Sequence, residues 1–312
     1  MAQQRRPYYR SLAPLVAWAG DARRPIDWTN GSGRRPLDLE IGFGRGEWLI
    51  RLAAESPGRR IIGLELEWES VKRALRRIDQ ARLTNVSVAL VDARVALERL
   101  IAPASLSRVF ALFPCPWPKE KHAKYRLFSR EFLELLNSRL EPGGVVLLVT
   151  DSRPYLDWVL GETPGSGFEA GWQTNAPRFD TGYERKWSRQ GQTRFYELRL
   201  RKTARLDARL KEDVPLHPHL VSNFDPERFS PEGARGEVTV EFKEFLYDAA
   251  RRKGLARATV VEDRFVQEFW IELAGAPDGW HIRPAQGCRL VPTRGVQLAL
   301  DLAREAALRT AA

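Results

Sequence analysis

Three acids stand at or just beyond the ends of three successive apolar runs, and a glycine-rich loop follows the first. Glu40-Ile41-Gly42-Phe43-Gly44-Arg45-Gly46 closes LDLEI, Glu65 closes IIGLE and Asp92 follows SVALV. Glycines at 42, 44 and 46 permit a tight turn and let a ligand approach the backbone. Taken alone, such a loop is equally a structural turn or a nucleotide site of another kind. The two further acids sharpen the reading: Glu65, 21 residues after Gly44, is placed to accept both ribose hydroxyls, and Asp92 to reach an adenine amino group. A dinucleotide site keeps a pyrophosphate at the helix N-terminus. Here Glu40 beside the loop would repel phosphate and attract a sulfonium or an ammonium. S-adenosylmethionine carries both cations, so the loop reads as a methyl-donor site.

A second constellation is FPCPWPKEKHAKYR, residues 113–126. Its prolines fix the backbone direction, and Lys119, Lys121, His122, Lys124 and Arg126 then call for an anionic partner. Cys115 inside the knot has a sharper reading: a Pro-Cys pair after the fourth strand resembles the cytosine-C5 methyltransferases, whose thiolate attacks a pyrimidine ring before methyl transfer, and Lys119 and Lys121 would favour a thiolate. Charge supports a polyanion as partner. The chain carries a net charge of +10 over 312 residues, and residues 1–200 hold 32 Lys and Arg against 23 Asp and Glu, nearly the whole excess. Arg-rich usage set by genome composition accounts for the same balance equally well.

The elements that must position these groups follow from periodicity. RRPLDLEIG, RIIGLEL, NVSVALV, RVFALF and VVLLVTD read as buried strands, and GEWLIRLAAES, ESVKRALRRIDQARL and FSREFLELLNSRL as amphipathic helices between them, the last closed by Glu141-Pro142-Gly143-Gly144. Such alternation predicts a doubly wound, mostly parallel α/β sheet whose ligands bind beyond the carboxyl ends of the strands. The expected organisation is a basic lead over 1–33, the α/β domain over 34–202 and an accessory α+β domain over 203–312. In the last, EVTVEFKEFL and ATVVEDRFVQEFWIEL read as strands and VQLALDLAREAAL as a helix, with exposed aromatics such as Trp270 as a surface for packing or for RNA. Trp18, Trp28, Trp48, Trp68 and Trp158 are expected in packing. Only Cys115 and Cys288 are present, which suits a reducing compartment better than a disulfide framework and rules out a cysteine zinc site, and His217 and His219 lack further visible ligands. No run of about 18 apolar residues and no secretory leader is evident, so the chain is expected in the cytoplasm, away from membranes.

LEIGFGRG, IIGLELE, FPCPWPKEKHAKYR, LLVTDSRPY and TGYERKWSRQGQTRFYELRL together resemble the bacterial tRNA (guanine-N7)-methyltransferases over about residues 34–202. The PxPWPKxxHxKxR block followed by TxYE is the most specific part. The resemblance implies a seven-stranded Rossmann-like methyltransferase fold, S-adenosyl-L-methionine as donor, and tRNA methylated at N7 of a guanine in its variable loop. It implies donor contacts for Glu40, Gly42, Gly44, Gly46, Glu65 and Asp92, and substrate contacts for Lys119, Asp151, Thr181 and Glu184. Lys121, Lys124 and Arg126 would hold phosphates beside His122. Asp151 and Glu184 would stabilise charge developing on the guanine. The family normally has Asp between the first two prolines of the block, between donor and acceptor, where this chain has Cys115. That departure keeps two other readings in view: a catalytically impaired tRNA-binding homologue, and a cytosine-C5 RNA methyltransferase using Cys115.

Overall fold

The computed structural model describes residues 11–18, 24–28, 35–208, 210–262 and 265–311; most of the lead at 1–33 lies outside the described residues. The chain divides into two compact units, one made principally of Ala22–Lys211 and the other of Glu212–Ala312.

The first unit is a seven-stranded sheet. Its strands are β1 (Leu37–Ile41), β2 (Arg60–Glu65), β3 (Val86–Leu90), β4 (Leu106–Leu112), β5 (Leu140–Thr150), β6 (Phe168–Asn175) and β7 (Phe195–Lys202), in the order β3-β2-β1-β4-β5-β7-β6. The first five are parallel, and β7 runs antiparallel between β5 and β6. The helices are α1 (Glu47–Glu55), α2 (Trp68–Gln80), α3 (Ala93–Val95, continued by a π-helical turn Ala96–Leu100), α4 (Arg130–Arg139), α5 (Arg153–Glu162) and α6 (Gly182–Arg189). This is the expected Rossmann-like architecture. Strand order reverses between β1 and β4, and the glycine loop and the proline knot follow those two strands. Open parallel sheets bind their ligands at this point.

Packing explains why β1 is held so firmly. All five of its side chains are buried, and the first of the two acids among them, Asp38, is neutralised by Arg59 at 2.5 Å and Arg108 at 2.5 Å. Burying that carboxylate without both guanidinium groups would cost several kcal/mol. On β2, Gly63 leaves room for Phe43 and Leu49, whose ring and methyl atoms would lie 2.6 and 2.8 Å from any Cβ there. Among the residues of the resulting core, Leu49, Ile61, Leu75 and Ile78 come from the helical and strand periodicities visible in the sequence.

Helix α4 ends at Arg139, and Glu141-Pro142-Gly143-Gly144 fall within β5 where its pairing with β4 passes from Leu140 directly to Val145. Lys202 closes that helix end by donating to the carbonyls of Asn137 and Leu140 at 2.6 and 2.8 Å. Trp68 is 40% exposed, unlike Trp18 and Trp28, which are buried and donate to the carbonyls of Leu90 and Leu100.

The second unit is an antiparallel sheet of β8 (His219–Val221), β9 (Val238–Asp248), β10 (Lys253–Glu262), β11 (Phe265–Ala276) and β12 (Gly279–Pro284), in the order β8-β12-β11-β10-β9. Helix α7 (Arg294–Thr310) shares one core with it. Alanines 299, 303, 306 and 307 allow the helix backbone close to Ala256, Ala258 and Ile271. The run ATVVEDRFVQEFWIEL supplies the paired strands β10 and β11, with Glu262 opposite Phe265. Trp270 is half-buried with the Arg257 guanidinium 6.0 Å from its ring, and His219 pairs with Asp301 at 2.7 Å. Among the described residues no helix is long and apolar enough to cross a membrane.

Candidate active site

The glycine loop opens into a cavity of about 670 Å³ whose walls include Glu40, Gly42, Gly44, Glu47, Thr181 and Tyr183. Gly42 and Gly44 have φ of +69° and +54°, and nothing lies within 4 Å of where their Cβ atoms would stand. That open backbone leaves space for a ligand. Gly46 also has a left-handed φ of +75°, but it faces Ala74 at 3.3 Å and joins the loop to α1. A β-carbon at any of the three would be strained.

Glu40 is 2% exposed, and its Oε2 has no hydrogen-bond partner. Burial above all, then the charges of Glu47 and Glu65, pushes its pKa up to about 8. A buried carboxyl with an unsatisfied oxygen is costly unless something else completes it. A cationic ligand in the cavity would do both, pairing the oxygen and restoring the ordinary carboxylate. The residues present therefore fit a sulfonium- and ammonium-bearing donor.

The other two acids are already engaged with backbone. Glu65 accepts the Gly44 N–H at 2.8 Å through one oxygen and the Leu66 N–H at 2.8 Å through the other. Asp92 caps α3, with Oδ1 accepting from Arg94 at 2.8 Å and Val95 at 3.4 Å. Glu65 stands beside the loop and Asp92 just past the end of β3; neither is among the residues lining the cavity, and each keeps lone pairs for further donors.

The proline knot leaves β4 through a tight reversal. Phe113 donates to Val149 at 2.8 Å, and both it and Trp117 have positive φ, +56° and +42°. Such values cost free energy for bulky residues and persist where surroundings enforce them. Arg126 does the enforcing: its guanidinium donates to the carbonyls of Pro116 at 3.0 Å and Trp117 at 3.1 Å and lies 5.1 Å from the Trp158 ring. Arg126 thereby braces the loop. Lys119, Lys121 and Lys124 remain exposed on or beside the 3-10 turn Glu120–Tyr125. His122 and Tyr125 lie 5.7 and 5.4 Å from the Trp117 ring. Cys115 is exposed and is not among the residues lining the cavity.

TxYE proves to be a helix cap. Thr181 is the N-cap of α6, its Oγ1 accepting the Glu184 N–H at 3.1 Å, and Glu184 turns back to accept from Arg178 at 2.7 Å and from Asp180. This is a capping box displaced by one position. Glu184, 2% exposed, thus holds the loop before the helix through both of its oxygens. Thr181 and Tyr183 do line the cavity. Tyr183 is 57% exposed and stacks on Phe113, centroids 6.4 Å apart, so the TxYE segment and the proline knot meet across one wall. Asp151 stands partly exposed between β5 and α5, where Ser152 caps the helix.

Sequence reasoning passed over the cavity's basic rim: Arg45, Arg73, Arg185, Lys186 and Arg189. The run RKWSR directly after TxYE was its visible signal.

The fold, with a glycine loop and strand-end acids at the switch point, defines a Rossmann-like methyltransferase architecture. The family model Methyltransf_4, a methyltransferase family, matches residues 34–197. The tRNA (guanine-N(7)-)-methyltransferase of Chlorobium phaeobacteroides is 42% identical over 53% of this chain and 81% of its own length. Those of Thermotoga maritima and Roseobacter denitrificans are 31% and 38% identical, over 85% and 62% of this chain and 87% and 88% of theirs. The chain belongs to the tRNA (guanine-N(7)-)-methyltransferase family.

Proposed function

We infer that this chain transfers a methyl group from S-adenosyl-L-methionine to N7 of a guanine in tRNA, in the variable loop, and works in the cytoplasm. The observation that carries this reading is the buried, unpartnered Oε2 of Glu40 in a cavity walled by the open glycine loop on one side and the TxYE segment on the other. Bound there, the donor supplies an electrophilic methyl on a positively charged sulfur.

The chain's own residues then have limited work. N7 of guanine carries a free lone pair and no proton, so no general base is needed, and catalysis rests on positioning and electrostatics. Glu40 pairs the donor's positive charge, while Gly42, Gly44 and Gly46 shape the loop around it. Glu65 and Asp92 use their remaining lone pairs for ribose and adenine. Thr181 and Tyr183 bound the guanine pocket, Glu184 holds that wall in place, and Asp151 offsets positive charge appearing on the methylated ring. Lys119, Lys121 and Lys124 take backbone phosphates, with His122 between them. Cys115 takes no covalent part.

The test uses radiolabelled donor and unmodified tRNA, with nuclease mapping of the product. Label on guanine N7 is expected. Label on cytosine would replace this reading with thiolate chemistry, and tRNA binding without transfer would leave an RNA-binding homologue.

A further inference from the structure

Cations from three elements ring the cavity whose wall contains Glu40: Arg45 in the glycine loop, Arg73 on α2, and Lys186 and Arg189 on α6. All four are exposed, and none is ion-paired among the described residues. Their neighbour Arg185 shows the contrast. It is spent on Asp180 at 2.7 Å and Glu47 at 3.0 Å, so it braces α6 against α1. Glu47, the second acid of the cavity wall, is matched by that bond and by Arg77 at 3.6 Å. The first acid, Glu40, is pushed up to about 8 by burial and is mostly neutral at pH 7.

The mouth therefore carries a local excess of positive charge that the protein does not itself compensate. Placing like charges together costs free energy in the unliganded state, and an anion removes that cost. A methyl donor brings one carboxylate, which Arg45 in the donor loop can meet. Three further cations on α2 and α6 exceed what one carboxylate requires, whereas a phosphodiester chain presents a charge at each nucleotide.

Resting on the function proposed above, we propose that Arg73, Lys186 and Arg189 form a second phosphate-binding site for the substrate RNA, holding the backbone on either side of the nucleotide whose base enters the cavity. This site lies on helices α2 and α6, apart from the exposed lysines at 119–124. It makes these three residues positioning groups: they fix the backbone while the base sits between Tyr183 and the donor loop.

The test compares the wild-type protein with R73Q, K186Q, R189Q and the triple variant, measuring tRNA affinity across a salt series, donor affinity by calorimetry, and thermal midpoint. All three positions are exposed, so unchanged thermal midpoints and donor affinity are expected. The triple variant should bind tRNA at least about 10-fold more weakly near 0.1 M salt, and its log–log salt slope should fall by about 2 to 3, roughly one per residue. Wild-type tRNA affinity and slope retained in the triple variant would overturn the second site. Donor affinity lost while tRNA affinity stays would assign the rim to the donor's carboxylate and overturn it equally. Absence of salt-dependent tRNA binding by the wild-type protein would instead remove the functional reading itself.

Discussion

Glu65 Oε2 accepts the backbone N–H of Gly44 at 2.8 Å, tying the end of the second strand to the middle of the glycine loop. The carboxylate expected on a ribose thus also holds the loop that must embrace the donor. Glu65→Gln keeps an acceptor for Gly44 but loses the charge, and Glu65→Ala loses both. Calorimetry should show weaker donor binding for each, by about 10-fold or more. Thermal unfolding should separate them: the alanine variant loses about 1 kcal/mol for the missing hydrogen bond, and the glutamine variant less. Equal loss of stability in both would deny the tethering role.

Glu40 should couple donor binding to pH. It must shed its proton to pair a cation, so below its raised pKa of about 8 the donor binds with release of up to one proton, and affinity rises with pH until that point. Calorimetry in buffers of different ionisation enthalpy reads the released proton directly. The stability sign runs the other way. An acid whose folded pKa lies above its unfolded one gives its contribution in full below the unfolded pKa of 4.5, and that contribution is lost as pH rises through about 8. Glu40→Gln should therefore gain stability over the wild type from pH 5 to pH 8, at up to ~1.4 kcal/mol per pH unit, while binding donor poorly. A stability difference between Glu40→Gln and the wild type that is the same at both pH values would show that Glu40 is ionised in the free protein.

Thr181 and Glu184 should behave as a cap. Thr181→Ala is expected to cost about 1 kcal/mol of stability, and Glu184→Ala more, because two part-buried N–H groups lose their acceptor. Donor affinity should be unchanged in both, with methyl transfer slowed through displacement of Tyr183. Stability indistinguishable from wild type for Glu184→Ala, with transfer abolished, would return Glu184 to direct contact with the base.

Arg126 and Lys124 should separate in a salt titration. Lys124→Gln is expected to lower the slope of tRNA affinity against salt by about one. Arg126→Lys keeps its charge but cannot span the carbonyls of Pro116 and Trp117. Affinity should then fall with the slope preserved. A slope reduced by Arg126→Lys would place that guanidinium on phosphate after all.

Cys115 is the residue on which the chemistry would turn if it were covalent. Cys115→Ala should leave N7 methylation within about twofold of wild type, given that the thiol is exposed and stands off the cavity wall. Abolished transfer would make the thiol essential.

Much of this molecule follows from local pattern. Unbroken apolar runs such as LDLEI and the helical spacing of Val71, Leu75 and Ile78 prescribe a buried parallel sheet flanked by helices, because no other arrangement buries those faces. The glycine loop was legible too, since residues 42 and 44 adopt backbone angles that side chains resist. Roles depending on where a side chain finds its partner were not legible. Whether Arg126 meets an RNA phosphate or the carbonyl of Pro116, and whether Glu184 meets guanine or the N–H of Arg178, is decided by groups up to ten residues away folding back upon them. Further still, the cationic mouth unites Arg45, Arg73 and Arg189, which are adjacent only after β1, α2 and α6 converge. Amino-acid order by itself determined the layers, the switch point and the kind of donor its acids admit. Tertiary structure alone decided which charges remain uncompensated, because compensation is a property of distances in space.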